Sequence, residues 1–394
     1  MTLKIEPGPI ASSFNLPASK SHANRYLILA ARRGGNARVT GLPVSDDVVF
    51  LLNALKKVGL AITGESDLCF HNSFPACEKE ATPLELDVGE GGTTARFLAA
   101  LLAGGKRPYT LRMSGRLAQR PWEELTEALK SAGAQVSWQA SALSIQGPVD
   151  ITKLPRTISA ARSTQFASAL LLAFAIEGYE LSPVEMTTSK PYWDMTLECI
   201  QQSLSGQMSV PLDWSSAAYP MVFAAARGSG IKLPGLKPDA QADRALFDLL
   251  VSRGAASAEN QGVVVAKLRD RTAFHFEAHQ CPDLIPALAF LAAHLDGVST
   301  IVGAAALRHK ESDRLVAILS LLEQCGVQAS YEEGGDALRI SGGVKLEQDE
   351  LSVPADHRLV MTAALFLRAH KRGRLPHPEA VRKSFPDFFD LFKV

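Results

Sequence analysis

The sequence predicts a two-domain α/β protein, and three observations carry that prediction. The chain has 394 residues, more than one hydrophobic core normally serves, so two domains are expected. A helix pattern ending in Leu-x-x-x-Gly recurs with its glycine at Gly59, Gly133, Gly254 and Gly326, and a weaker copy ends at Gly206. Successive intervals between these glycines, taken in chain order, are 74, 73, 48 and 72 residues. Strand signals alternate with helix signals inside each interval, which is the mark of a repeated mixed unit.

The elements follow in order. Strand-into-turn runs lie at 37–42, 110–115, 230–235 and 299–304, each closing on a glycine or one residue after it. Amphipathic helices are expected at 46–58, 122–132, 243–253 and 313–325, each followed by glycine at the position where a helix takes its left-handed cap. More uniformly apolar helices are expected at 166–175, 215–226 and 284–295. The single short interval, before Asp213, reads as a unit that has lost a strand pair, and the break between the halves falls near 206–213.

Composition narrows the class of function. Lys+Arg and Asp+Glu balance at 41 each, which argues against a dedicated nucleic-acid binder. Any cationic cluster must therefore be local. The five cysteines (Cys69, Cys77, Cys199, Cys281, Cys325) are scattered, without a C-x-x-C pair, as expected in a reducing compartment. Residues 1–8 lack an apolar core of the signal-peptide kind, and the apolar runs near 97–103 and 166–176 are too short to span a bilayer. The expectation is a cytoplasmic protein, monomeric, with no membrane and no nucleic acid among its partners.

Short polar and basic segments open several of the expected helices. They are Ser19-Lys20-Ser21-His22-Ala23-Asn24-Arg25, Gly89-Glu90-Gly91-Gly92-Thr93-Thr94-Ala95-Arg96, Lys310-Glu311-Ser312-Asp313-Arg314 and Asp356-His357-Arg358, with Arg120 and Lys383 in loops. A helix N-terminus offers free N–H groups and a positive dipole end, so cations placed there suit small, highly charged anions. Taken singly, each segment has a plainer reading. Lys20 resembles a solvated lysine beside a cap, the glycine run a tight turn, and Ser163-Thr164-Gln165 and Ser189-Lys190-Pro191-Tyr192 ordinary helix starts. Asp283 could be a cap, and Lys310, Glu311 and Arg314 a salt-bridged first turn. His275, Glu277 and His279 share one strand face, but their spacing matches no zinc motif. No metal and no organic cofactor is expected.

Taken together, the segments resemble the 5-enolpyruvylshikimate-3-phosphate synthase (3-phosphoshikimate 1-carboxyvinyltransferase) family. Leu16-Pro17-Ala18-Ser19-Lys20-Ser21 with Asn24-Arg25 is similar to its first signature, and Gly91-Gly92-Thr93-Thr94-Ala95-Arg96 to its second. Arg120-Pro121, Ser163-Thr164-Gln165, Ser189-Lys190-Pro191-Tyr192, Lys310-Glu311-Ser312-Asp313-Arg314, Asp356-His357-Arg358 and Lys383-Ser384-Phe385-Pro386 follow in the family's order. The resemblance implies an inside-out α/β barrel in two domains, built from about six βαβαββ repeats, one of them trimmed. It places the N-terminal domain at 14–207 and the C-terminal domain at 1–13 with 208–394, with the substrates bound where the domains close.

The implied reaction moves the enolpyruvyl group of phosphoenolpyruvate to the 5-hydroxyl of shikimate 3-phosphate, through a tetrahedral intermediate that expels phosphate. By resemblance, Ser21, Arg25, Ser163, Thr164, Ser189 and Lys310 hold shikimate 3-phosphate. Gly92, Arg120, Arg314, Arg358 and Lys383 hold phosphoenolpyruvate, and Lys20 and Gln165 touch both. Asp283 matches the base on the 5-hydroxyl; Glu311 is the expected proton donor to carbon, assisted by Lys20. A carboxylate among cations is a poor acid unless burial or a water intervenes. Two departures stand out: Ala306-Leu307 replaces the family's Asn-Trp, and Phe97 replaces a proline. Gly92 is retained, leaving room for glyphosate. The sister UDP-sugar enolpyruvyl transferases fit less well, since Lys20 is followed by Ser21 and the loop 114–120 has no cysteine. A non-catalytic phosphometabolite-binding homologue is the remaining alternative, motivated by the short interval and Ala306.

Overall fold

Three helices in each half of the chain are buried over most of their length, and that property organises the fold. A helix buried nearly all round must be surrounded by protein. The computed structural model describes residues 2–76, 82–228 and 230–394; Cys77 lies outside them. The chain divides into two units, Ala18–Pro211 on one hand and Met1–Pro17 with Leu212–Val394 on the other.

In the unit Ala18–Pro211 the buried helices are Lys20–Arg33, Gly92–Leu102 and Gln165–Phe174, packed on one another. Nine consecutive residues, Phe166 to Phe174, are buried. Sheets with one buried face lie against them. One sheet pairs Leu84–Asp87 parallel to Tyr109–Arg112, which pairs antiparallel to Ala142–Gln146 and then Gln135–Gln139. A second sheet has the same plan, with Gln207–Ser209 parallel to Ala37–Thr40. A third has two strands only, Thr157–Ser159 parallel to Ser182–Val184. From there the helix Lys190–Ser203 runs straight to Gln207–Ser209, with no hairpin between them. The short glycine interval thus corresponds to this missing hairpin.

The other unit repeats the arrangement with helices Trp214–Arg227, Ile285–Ala293 and His357–His370. Its sheets are Ile231–Pro234 with Gly262–Val265 and Ala256–Glu259, and His275–Glu277 parallel to Val298–Val302 with two further antiparallel strands. Thr2–Ile5 pairs antiparallel with Gly373–Pro376. Arg368 fastens both chain ends, donating to the carbonyls of Glu6, Pro9 and Phe392.

The C′ glycines behave as their spacing predicts: Gly59, Gly133, Gly206, Gly254 and Gly326 all have φ between +66 and +99°. Only glycine takes this conformation without a steric cost. The expected helix 243–253 is instead a 3₁₀ turn, Ala242–Arg244, leading into Ala245–Ser252, and 284–295 likewise begins as a 3₁₀ turn, Pro282–Leu284.

The crossings between units fall at 17/18 and 211/212, not at 13/14 and 207/208. Phe14 packs on Phe385 and its N–H bonds Lys232, while Val210 bonds Thr40 and joins the other core. Prolines at 17 and 211 end each segment.

Candidate functional site

Most of the central helices begin at or beside segments singled out in the sequence, and each unit presents its own set of cations.

In Ala18–Pro211, Ser19 caps the helix Lys20–Arg33. Lys20 Nζ lies 2.9 Å from Asp47 Oδ2, and the Asp47 side chain is 4% exposed. Arg25 is largely committed within the protein. Its Nε donates to Thr196 Oγ1 (2.9 Å), Nη1 to the Ser21 carbonyl (2.8 Å) and Nη2 to the Tyr192 carbonyl (2.8 Å), with the Phe97 ring 5.4 Å from its carbon. Burial lowers its pKa from the usual arginine range. Phe97, fully buried, thus supplies a face for this guanidinium.

Gly92 opens its helix directly beneath Arg120: a Cβ added there would stand 2.9 Å from Arg120 Nη1. Arg96, 2% exposed, lies between the rings of Trp122 and Phe166 and donates to Gln165 Oε1 and the Pro121 carbonyl, both at 2.6 Å. One guanidinium thereby sets the Gln165 amide and the peptide following Pro121. Ser163 Oγ accepts the Gln165 N–H at 3.2 Å, and Thr164 is buried at the helix start. Ser189 has φ +60° and its side chain does not cap the helix Lys190–Ser203. A non-glycine residue held in that region is a strained position of the kind found at functional sites. Lys190, by contrast, forms an exposed pair with Asp194.

In the other unit the charged groups interlock. Asp283, between Cys281 and the helix Ile285–Ala293, receives Lys310 Nζ at 3.2 Å, Arg314 Nη1 at 3.0 Å and Arg358 Nη2 at 3.2 Å. Arg314, 1% exposed, also holds Asp356 through Nε (2.7 Å) and Glu311 through Nη2 (2.8 Å). Lys383 Nζ reaches Glu311 at 3.3 Å. Asp356 further accepts the Arg358 N–H and the Ser312 hydroxyl, both at 3.0 Å. Burial alone would raise the Asp283 pKa; Arg358, Lys310 and Arg314 overcome it and hold the carboxyl well below the usual range. Burial works against the charge of Arg314 too, but Asp356, Glu311 and Asp283 raise its pKa above the usual arginine value.

The structure therefore gathers Asp283, Lys310, Glu311, Arg314, Arg358 and Lys383 into one cluster, and in the other unit joins Arg120 to Gly92 and Gln165 to Arg96. Arg25 and Arg314 are braces as much as ligand donors, because several of their N–H groups are already spent. Sequence reading missed Asp47, Arg96 and Asp356 as working parts. Arg96 and Asp356 stood inside quoted segments; Asp47 left no local signal. His275 and His279 both approach the exposed Glu277 carboxylate, at 2.7 and 3.3 Å. Among the described residues no group of three or more His, Cys, Asp or Glu side chains could hold a metal ion, and no helix is long and apolar enough to cross a membrane.

Gly92 gives a direct test of this geometry. Its backbone is helical, so alanine is tolerated by the fold, but the methyl must displace the Arg120 guanidinium. If Arg120 holds an anionic substrate, Gly92→Ala is expected to raise its KM by about tenfold, the usual effect of one misplaced methyl in a fitted site. Steady-state kinetics check it, and an unchanged KM would remove Arg120 from the site.

Comparison with known proteins bears on the chain as a whole. The sequence model of the family described as EPSP synthase (3-phosphoshikimate 1-carboxyvinyltransferase) matches residues 5–203 and 200–392. The 3-phosphoshikimate 1-carboxyvinyltransferase of Vibrio cholerae serotype O1 (strain M66-2) is 32% identical over 413 residues, covering 97% of this chain and 96% of the relative. That of Aliivibrio salmonicida is 31% identical over 424 residues, covering 100% and 99%. Among solved structures, EPSP synthase from Acinetobacter baumannii superposes with a TM-score of 0.76 at 24% identity, covering 100% of this chain and 97% of that one. The enolpyruvyl transferase NikO from Streptomyces tendae reaches 0.73 at 15% identity, covering 100% and 97%; both likenesses concern the fold. With both halves matched by one family model and full-length relatives above 30% identity, this chain belongs to the EPSP synthase (3-phosphoshikimate 1-carboxyvinyltransferase) family.

Proposed function

We propose that the protein transfers the enolpyruvyl group of phosphoenolpyruvate to the 5-hydroxyl of shikimate 3-phosphate, releasing phosphate. The observation that carries this reading is the meeting of Lys310, Arg314 and Arg358 on Asp283. Three cations converging on one carboxylate make a site built for anions, with a base at its centre. Both substrates bear a phosphate and a carboxylate, which calls for several cations.

In this reading Asp283 takes the 5-hydroxyl proton. While three cations hold it, Asp283 is a weak base. Substrate anions that draw Lys310 and Arg358 onto themselves would raise its basicity at the moment it is needed. Glu311 protonates the methylene carbon, and Lys20 assists. As donor, Glu311 needs its proton on the oxygen that now faces Lys383. The hydroxyl becomes a C–O bond at C2 of phosphoenolpyruvate as the methylene becomes a methyl; the tetrahedral adduct then loses that methyl proton and phosphate together. Ser21, Ser163, Thr164, Ser189 and the free N–H groups of Arg25 hold shikimate 3-phosphate, while Arg120 and Lys383 join Arg314 and Arg358 on phosphoenolpyruvate. Gln165, aimed by Arg96, touches both.

The finer architecture is part of the same reading: six sheets as six repeats, with the 157–184 pair as the trimmed one and the helices inside. Ala306 leaves one polar contact to shikimate 3-phosphate unmade. The four described cysteines are free thiols, which suits the cytoplasm. The test is phosphate release. It is expected only when both shikimate 3-phosphate and phosphoenolpyruvate are present. Release that instead requires a UDP-sugar would assign the sister reaction, and none with either acceptor would leave a binding protein.

A further inference from the structure

One buried carboxylate beside the Asp283 cluster has no part in the reaction above. Asp243 lies in the 3₁₀ turn Ala242–Arg244 and is 3% exposed. Neither of its oxygens makes a well-formed hydrogen bond among the described residues; the buried Ser215 hydroxyl stands beside it as a donor that favours the ionised form. An unpaired ionised carboxylate inside a protein is costly, whereas a protonated one is tolerated. The charged and titratable groups facing it come from three other elements. Arg358 opens the helix His357–His370, Cys281 and Asp283 precede the helix Ile285–Ala293, and Asp213 caps Trp214–Arg227. Burial pushes the Asp243 pKa up to about 7; Arg358 opposes the rise, and Asp283 and Asp213 add to it.

Arg358 is thus set between two carboxylates. It is bonded to one, donating to the Asp283 carbonyl (3.1 Å) and to Asp283 Oδ2 (3.2 Å). We propose that Asp243 is a positioning residue acting through Arg358: while neutral, it leaves Arg358 directed at Asp283 and at an incoming anion, and once ionised it competes for Arg358 and weakens the hold on that anion. The upper pH limit of anion binding by this unit would then be set by a side chain that touches no substrate. This rests on the reaction proposed above only through the identity of the anion, phosphoenolpyruvate.

The test compares the parent with Asp243→Asn, which keeps shape and removes ionisation. The folded-state pKa is raised above the unfolded value of 3.8. The protonated group therefore stabilises the fold fully below about pH 4, and that contribution is lost as pH rises through 7. The parent's thermal midpoint is expected to fall relative to the variant's between pH 5 and pH 8. In parallel, KM for phosphoenolpyruvate should rise about tenfold from pH 6 to pH 8.5 in the parent, a coupling of ordinary size, and the rise should flatten in the variant. Parallel midpoints, or superimposable KM profiles, would overturn the proposal. If the parent turns over no shikimate 3-phosphate at any pH, the reaction assignment fails. The midpoint comparison repeated in an Arg358→Gln background still decides Asp243, because loss of the cation should carry the parent's decline to higher pH. A decline that stays in place would sink the proposal.

Discussion

Asp283→Ala is expected to lower kcat by about a thousandfold without raising KM for phosphoenolpyruvate. The first half follows from the proposed role of the carboxylate: general-base contributions amount to roughly 10²–10⁴ in rate, and among the described residues Asp283 meets all three of Lys310, Arg314 and Arg358. The second half follows from electrostatics. In the free protein these cations are partly neutralised by Asp283, so removing it leaves them more available to an incoming anion, not less. A residue whose work is to bind substrate would show the opposite split, a KM rise at constant kcat. Asp283→Asn separates the effects further, since the amide keeps the volume and one acceptor but cannot take a proton. Equal losses for Ala and Asn would place the deficit in the proton step. A parent-like kcat in either variant would exclude Asp283 as the base and return that role to Glu311 or Lys20.

That experiment was legible in the sequence because Asp283, Lys310, Glu311, Arg314 and Arg358 all occupy positions next to helix starts, and helix starts leave local marks. Glycine at C′, Ser and Asp at caps and apolar periodicity are all read within a few residues. The partners of the charges are not local. Lys20 meets Asp47 across 27 residues, Arg96 meets Gln165 across 69 and Arg314 meets Asp356 across 42, distances at which no pattern of spacing reports contact. Asp243 was the start of an ordinary amphipathic helix as far as its neighbours show, and only the packing of three other elements around it makes it unusual. The same limit explains the misplaced crossings at 13/14 and 207/208. Composition does not change there, and which core Phe14 and Val210 join is settled by tertiary packing.

Arg314→Met should cost more stability than any other single change at the site. The guanidinium is 1% exposed and bonds three carboxylates, of which Asp356 is equally buried. Glu311 would retain Lys383, and Asp283 would retain Lys310 and Arg358. Asp356 would be left with the Ser312 hydroxyl, the Arg358 N–H and, at 3.7 Å, His357 Nδ1, a buried anion without a permanent cation. Breaking a buried pair on one side costs about 3–5 kcal/mol, which for a unit of this size lowers the midpoint of its unfolding by about 10 °C. Two further variants identify the cause. Arg314→Lys keeps the charge but not the planar fork that serves Asp356 and Glu311 together, so an intermediate loss is expected. Arg314→Met combined with Asp356→Leu removes both buried charges and should recover part of the stability, because a matched apolar pair avoids the desolvation cost altogether. Calorimetry or urea titration of the three proteins decides it. If the double variant is no more stable than Arg314→Met alone, the loss comes from packing around the arginine stem and the charge network is not what holds these helix starts in place.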